Sequence, residues 1–270
     1  MRACLPPIAL LALAACSPAS DEAPVPKASA TTAAAPASAA PPSVPPAQAR
    51  SVEDKTPLYD FDYAYPAQAA AIPALKAWLD GDIAKQKADI MSSAKDGRDG
   101  AKESGFPFNP YGHSTSWDVV TDLPGWLSLS AQRWEFTGGA HGNPWSEGLL
   151  WDKAAGKRRD ALSLFTSKAA LSAAIRAPFC DALDKQRAER REAPVDRAGG
   201  DMFDECIDPV NSAVILGSAD KQHFTRIGVL VDPYEAGPYA EGNYEVTVPV
   251  TAVVLQAVKP EYRAAFALGR

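Results

Sequence analysis

Hydrophobic positions along this chain follow two rhythms, interrupted by proline, glycine and charge. Leu58-Tyr59-Asp60-Phe61-Asp62-Tyr63-Ala64-Tyr65 alternates with period two, which predicts a strand that Pro66 ends. From Ala67 to Ala94 the spacing lengthens. Ile72, Leu75, Trp78, Leu79 and Ile83 recur three and four apart, the stripe of a core-facing helix. Gly97, Gly100 and Gly105 then read as a loop. Strands follow at Thr115 to Asp122, Trp126 to Thr137 and Trp145 to Asp152, with turns at Pro124-Gly125 and Ala155-Gly156. Ser167 to Arg191 returns to a helical period, with Leu171, Ile175, Phe179 and Leu183 on one face. Pro178 lies inside it and is expected to kink or locally break it. Phe224 to Val231 and Tyr244 to Val250 read as strands. Val253 to Val258 and Tyr262 to Phe266 close the chain with a short helix.

Strands mixed with two main helices, without regular alternation, predict an α+β fold with antiparallel sheets. The expected organisation is a small N-terminal α+β subdomain over residues 57–122 and a larger C-terminal one over residues 123–270.

The first 56 residues have neither rhythm. Met1-Arg2 precedes a short apolar run from Ile8 to Ala15, which describes a secretory signal over residues 1–15. That run falls short of the about 20 apolar residues a spanning helix needs. Leu13-Ala14-Ala15-Cys16 resembles the lipobox of bacterial lipoproteins. The resemblance implies cleavage before Cys16, a lipid on its sulfur, and anchoring in the cell envelope. Ser17 in place of aspartate implies the outer membrane, facing the periplasm. Residues 16–56 are rich in alanine and proline and form the tether, a semi-rigid spacer of about 3.1 Å per residue.

The formal net charge of -6 argues against nucleic acid as a partner. Of four cysteines, Cys4 lies in the signal and Cys16 is the lipidation site. Cys180 and Cys206 remain, and an exported compartment permits the disulfide expected between them. Three scattered histidines give no zinc-ligand spacing, so neither a metal nor another cofactor is expected.

Trp134-Glu135-Phe136-Thr137-Gly138-Gly139-Ala140-His141-Gly142-Asn143 is the unusual block. Its glycines permit positive φ between two strands. It resembles the Gly-Gly-Ala-His motif of the RsiV-like extracytoplasmic family. That family is found in the lysozyme-sensing anti-sigma factor RsiV and beside the catalytic domain of some peptidoglycan deacetylases. Asp152-Lys153-Ala154-Ala155-Gly156-Lys157, Leu162-Ser163-Leu164-Phe165 and Tyr234-Glu235-Ala236-Gly237-Pro238-Tyr239-Ala240-Glu241-Gly242 follow in the family's order. The resemblance runs from about Trp126 onward, and Leu58 to Ala94 is similar to the smaller domain that precedes it. His113, His141 and His223 do not form the Asp/His/His set of the deacetylases, so that activity is not implied.

His141 has three readings: a brace for its loop, a ligand contact, or a general acid or base. Tyr234, Glu235 and Tyr239 suit either sugar stacking and protein anchoring or plain packing. The candidate ligand-binding set is Gly138, Gly139, His141, Asn143, Tyr234, Glu235 and Tyr239. The stretch Lys185 to Arg191 reads as a solvated helix face. The functional expectation is a lipid-anchored binding module for peptidoglycan or a muralytic enzyme such as lysozyme. A wall-acting hydrolase with His141 as acid/base is the alternative.

Overall fold

The computed structural model describes residues 46–269; the signal peptide, Cys16 and nearly all of the tether lie outside them. Within this part the fold is mixed α+β, built on a six-stranded and a three-stranded sheet.

The chain enters through β1, Arg50–Lys55, which pairs antiparallel with β2, Tyr59–Tyr65. The strand β1 falls within the residues expected to form the tether, and only Val52 of its side chains packs on the core. A short α1, Ala67–Ala70, leads into α2, Pro73–Ser104. This helix runs through Gly97 and Gly100, where a loop was expected. Gly97 has a packing role: a side chain there would collide with the ring of Tyr111. The stop is Gly105, at φ 72°, with its N–H and that of Phe106 returning to the carbonyls of Lys102 and Ala101.

The long helix has a topological purpose. It carries the chain back to β3, Tyr111–Asp122, which pairs parallel with β2. A parallel pair requires such a crossover, so one pairing departs from the expected antiparallel sheets. The antiparallel strands β4, Trp126–Phe136, β5, Asn143–Asp152, and the short β6, Lys157–Arg159, complete the sheet in order. It therefore continues unbroken across residues 122–123, where the sequence reading divided the subdomains.

Period-two alternation on β2 turns Tyr59, Phe61, Tyr63 and Tyr65 onto Leu75, Leu79 and Ile83 of α2, and this is the first core. A polar seam runs through it. Trp117 Nε1 donates to the Tyr63 hydroxyl at 2.8 Å, which donates to Asp82 at 2.7 Å. Arg133, with its side chain 4% exposed, reaches Asp82 at 3.1 Å and Glu147 at 2.8 Å. Burial and the bond to Asp82 push the Tyr63 phenol far above its ordinary range.

The second core lies between α3, Lys168–Arg191, and the sheet of β7, Ala213–Gly217, β8, Arg226–Val231, and β9, Tyr244–Pro249. Ser167 caps α3 by accepting from Ala170 N–H at 3.0 Å. The helix continues through Pro178 instead of breaking there. Its buried stripe of Leu171, Ile175, Phe179 and Leu183 outweighs the one lost backbone bond. Cys180 on α3 is bonded to Cys206, with Cα atoms 5.6 Å apart. A last helix, α4, Ala252–Ala257, follows β9. The two layers meet closely at Gly148, where a Cβ would lie 2.9 Å from the Val214 carbonyl.

Candidate functional site

The β4–β5 hairpin loop and the β8–β9 loop converge, and together they bring part of the expected set into one surface. Gly138 and Gly139 take φ of 99° and 94°, a left-handed pair that only glycine adopts without strain. They lead the chain to His141 at the side of the other loop. The His141 ring stacks on Tyr239, centroids 4.2 Å apart and planes 26° from parallel. Tyr234 follows at 5.7 Å from Tyr239. Tyr234 is itself at φ 72° and 56% exposed. A positive φ in a bulky aromatic residue is uncommon, and here it holds the ring out in solvent.

One peptide joins the two loops. The Gly142 carbonyl accepts from the Tyr239 hydroxyl at 3.1 Å and lies 3.0 Å from His141 Nδ1. The third glycine of the motif is needed for a different reason than the first two. A Cβ at Gly142 would collide with the indole of Trp134, and so would one at Gly112. Trp134 thus sits against two glycines, parallel to Phe136 with ring centroids 6.3 Å apart, and remains 37% exposed. Trp134 is not among the residues expected at the site. Its position two residues from Phe136 on an alternating strand, beside the glycine loop, was the available signal.

Glu235 and Asn143 do not join the aromatic group. Glu235 accepts from the Ser212 hydroxyl at 2.6 Å and from Asp232 N–H at 3.3 Å, so it braces its own loop. Crowding at that end of an otherwise exposed side chain raises its carboxyl, with the neighbouring Asp232 charge adding to the effect. Asp232 in turn takes the Ser146 N–H at 3.0 Å and hydroxyl at 2.7 Å, pinning this loop to β5. Asn143 begins β5 opposite Glu135.

Arginines of α3 hold the same loop from behind. Arg187 is wholly buried and donates to the Ala236 carbonyl at 2.8 Å and the Glu205 carbonyl at 3.1 Å. Arg190 reaches the carbonyls of Glu241 and Asn243. Arg191 is ion-paired with Glu241 at 2.7 Å and with Asp204. The Lys185 to Arg191 stretch is therefore not simply a solvated face, because these three side chains fold back over the loop.

The three histidines occupy three settings. His113 is buried beside Phe61, and burial, then the Arg133 charge, holds it below its ordinary value. His223 caps an exposed turn with Asp220 at 2.9 Å. His141 bonds only to backbone among the described residues, with no carboxylate orienting it. No group of three His, Cys, Asp or Glu side chains among the described residues could hold a metal ion.

Residues 52–144 match the sequence family described as Deacetylase PdaC. The fold is similar to a crystal structure of a DUF3298 family member from Bacteroides fragilis. That likeness has a TM-score of 0.50 and 16% identity, covering 76% of this chain and 90% of that one. A DUF3298 family protein from Pseudomonas aeruginosa aligns with a TM-score of 0.45 and 17% identity, over 83% of this chain and 98% of that one. No curated protein matches. The resemblance read from the motifs holds to this extent: the chain carries a segment that matches the PdaC family model, and its fold is that of a DUF3298 protein. The matched segment contains His113 and His141, one buried and one stacked on tyrosine. The Cys180–Cys206 bond is that of an exported domain, since such bonds persist in oxidising compartments. No helix among the described residues is long and apolar enough to cross a membrane.

Proposed function

We propose that this protein is an envelope binding module. Cys16 carries a lipid that holds it in the outer membrane, facing the periplasm, and the folded part recognises peptidoglycan or a muralytic enzyme such as lysozyme. The observation that supports this is the exposed His141–Tyr239–Tyr234 group, clamped through the Gly142 carbonyl. Rigid, partly exposed aromatic rings lose little freedom on binding, which is what binding surfaces require. The net negative charge suits a basic partner such as lysozyme. Nothing at His141 favours the hydrolase alternative, because its ring bonds to backbone and its neighbours are glycine and tyrosine.

The test is capture of purified lysozyme and of peptidoglycan sacculi by the chain from residue 16 with Cys16→Ser. Starting ahead of β1 matters, because removing Arg50–Lys55 would leave one edge of β2 unpaired. Saturable capture that drops about 30-fold with Tyr239→Ala is expected, the weight of an anchoring residue worth about 2 kcal/mol. Absence of capture by the folded protein would overturn the proposal.

A further inference from the structure

β1 ends the six-stranded sheet, and among the described residues no strand lies on its outer side. Half of its backbone groups point that way. Thr56 N–H donates to the Tyr59 carbonyl at 2.9 Å, so, counting back along the antiparallel ladder, Asp54, Val52 and Arg50 bond to β2. Ser51, Glu53 and Lys55 therefore turn their N–H and C=O groups outward. The strand has no proline or glycine and pairs with β2 without a register shift, so its backbone lacks the devices that blunt an edge. At the other end of the sheet β6 has only three residues. We propose that β1 pairs antiparallel with β1 of a second copy of this chain, about a two-fold axis at Val52. Pairing at this edge does not depend on what the protein binds. It would join two six-stranded sheets into one and carry two His141–Tyr239–Tyr234 groups on one particle.

The charges select that occupant and that register. A charged edge ordinarily turns a neighbouring strand away. Here the order Arg50-Ser51-Val52-Glu53-Asp54-Lys55 is complementary to its own reverse. With Val52 opposite Val52, Arg50 stands opposite Asp54 of the second copy, and Asp54 opposite its Arg50. The backbone agrees, because this register sets outward residues opposite outward residues and a shift by one does not. A shift by two sets Glu53 opposite Glu53 in one direction and Arg50 opposite Val52 in the other. Parallel pairing in register would set like on like throughout. On the α2 side, Asp80 already holds Lys76 at 2.6 Å and Arg50 at 3.2 Å, and Asp54 holds Lys87 at 2.8 Å. Across the axis the row becomes Lys76, Asp80 and Arg50, then Asp54 and Lys87 of the second copy, alternating in sign. On the other face Glu53, which stands opposite Asp62 in its own copy, gains the Ser51 hydroxyl of the second. Lys55, opposite Asp60 in its own copy, falls opposite Ala49, so no like charges are set face to face across the axis.

Cysteine cross-linking of the chain from residue 16 with Cys16→Ser reads both the contact and its register. Residues opposite each other at a position without mutual backbone bonds lie about 4.5 Å apart at Cα, within the span of a disulfide. Val52→Cys should therefore give a covalent dimer on mild oxidation, seen on a non-reducing gel. Ser51 is the more exposed of the two positions. Its two copies would nevertheless lie about 8–9 Å apart, beyond disulfide reach, so Ser51→Cys should cross-link at least tenfold more slowly. Adding Glu53→Pro to Val52→Cys removes an outward N–H and no bond to β2. The cross-link should then be lost while the thermal midpoint stays within a few degrees. Arg50→Glu gives up only an exposed ion pair within its own copy, but it sets two like-charge contacts across the axis. Added to Val52→Cys, it should slow cross-linking at least tenfold. No covalent dimer from Val52→Cys, equal rates at positions 51 and 52, or a rate that either added substitution leaves unchanged overturns the inference.

Discussion

Gly142→Ala is the sharpest test of how the motif works. A methyl group there would lie 2.5 Å from Trp134 Cζ2, against an ordinary contact of 3.4 Å or more. The obstacle is a rigid indole, so the ring must retreat roughly 1 Å or the loop must lift. Trp134 is hemmed in on its other side, since Gly112 is equally close to it. Overpacking of this kind costs about 1–3 kcal/mol. In a domain of this size each kcal/mol lowers the thermal midpoint by about 2–4 °C, so a fall of roughly 4–8 °C is expected for the middle of that range. The assay is a double-mutant cycle read by thermal and denaturant unfolding. In a Trp134→Ala background the clash partner is gone, and Gly142→Ala should then cost under about 0.5 kcal/mol. Equal costs in both backgrounds would refute the claim that Trp134 is why position 142 must be glycine.

Three further outcomes follow from the interior. Replacing Cys180 and Cys206 together by serine should cost about 3.5 kcal/mol on the loop-entropy account for a 26-residue separation, and an unchanged denaturant midpoint would contradict it. Arg187→Ala should cost about 3 kcal/mol or more, because it strips the carbonyls of Ala236 and Glu205 of their buried donor. Arg187→Met, which refills the space but restores no donor, should cost less by its packing alone, and a cost equal to or above that of alanine would show that filling the space contributes nothing there. His113 is held below its ordinary 6.5, so the unfolded chain binds more protons between the depressed value and 6.5. Stability contributed by neutral His113 is therefore present above 6.5 and is lost as pH falls through that window. His113→Phe should flatten the acid side of a thermal-midpoint profile, and an unchanged slope would count against the assignment.

The elements that follow a clean period were legible in the sequence. β2 alternates because one face meets α2, and α3 declares itself by four apolar residues four apart. What escaped was set by long-range contacts. Gly97 and Gly100 look like loop residues, yet the helix continues past both; at Gly97 the ring of Tyr111, brought back by the parallel crossover, packs where a side chain would be, while Gly100 faces open space. β7 is a short apolar run between polar loops, with no alternation to announce it. β1 is an edge strand whose composition is nearly all polar, and its pairing with β2 creates it.

The site shows the same division and explains the motif. Local geometry was readable: Gly138 and Gly139 adopt the positive φ that their spacing suggested. The reason for Gly142 was not readable, because it lies in how the indole of Trp134 packs, and neither was the bond its carbonyl accepts from Tyr239, 97 residues further along. The same holds for the basic run of α3, which looked like a solvated face until its partners at Ala236, Glu241 and Asn243 came into view. These contacts all act in one direction. Arg187, Arg190 and Arg191 fix the β8–β9 loop from one side, Asp232 ties it to Ser146, and Tyr239 ties it to Gly142. A lid would need few such ties, since a loop that opens must lose them cheaply. A loop restrained at this many points presents its tyrosines already in place. Preorganisation of that kind favours recognition of a partner over gating of a reaction.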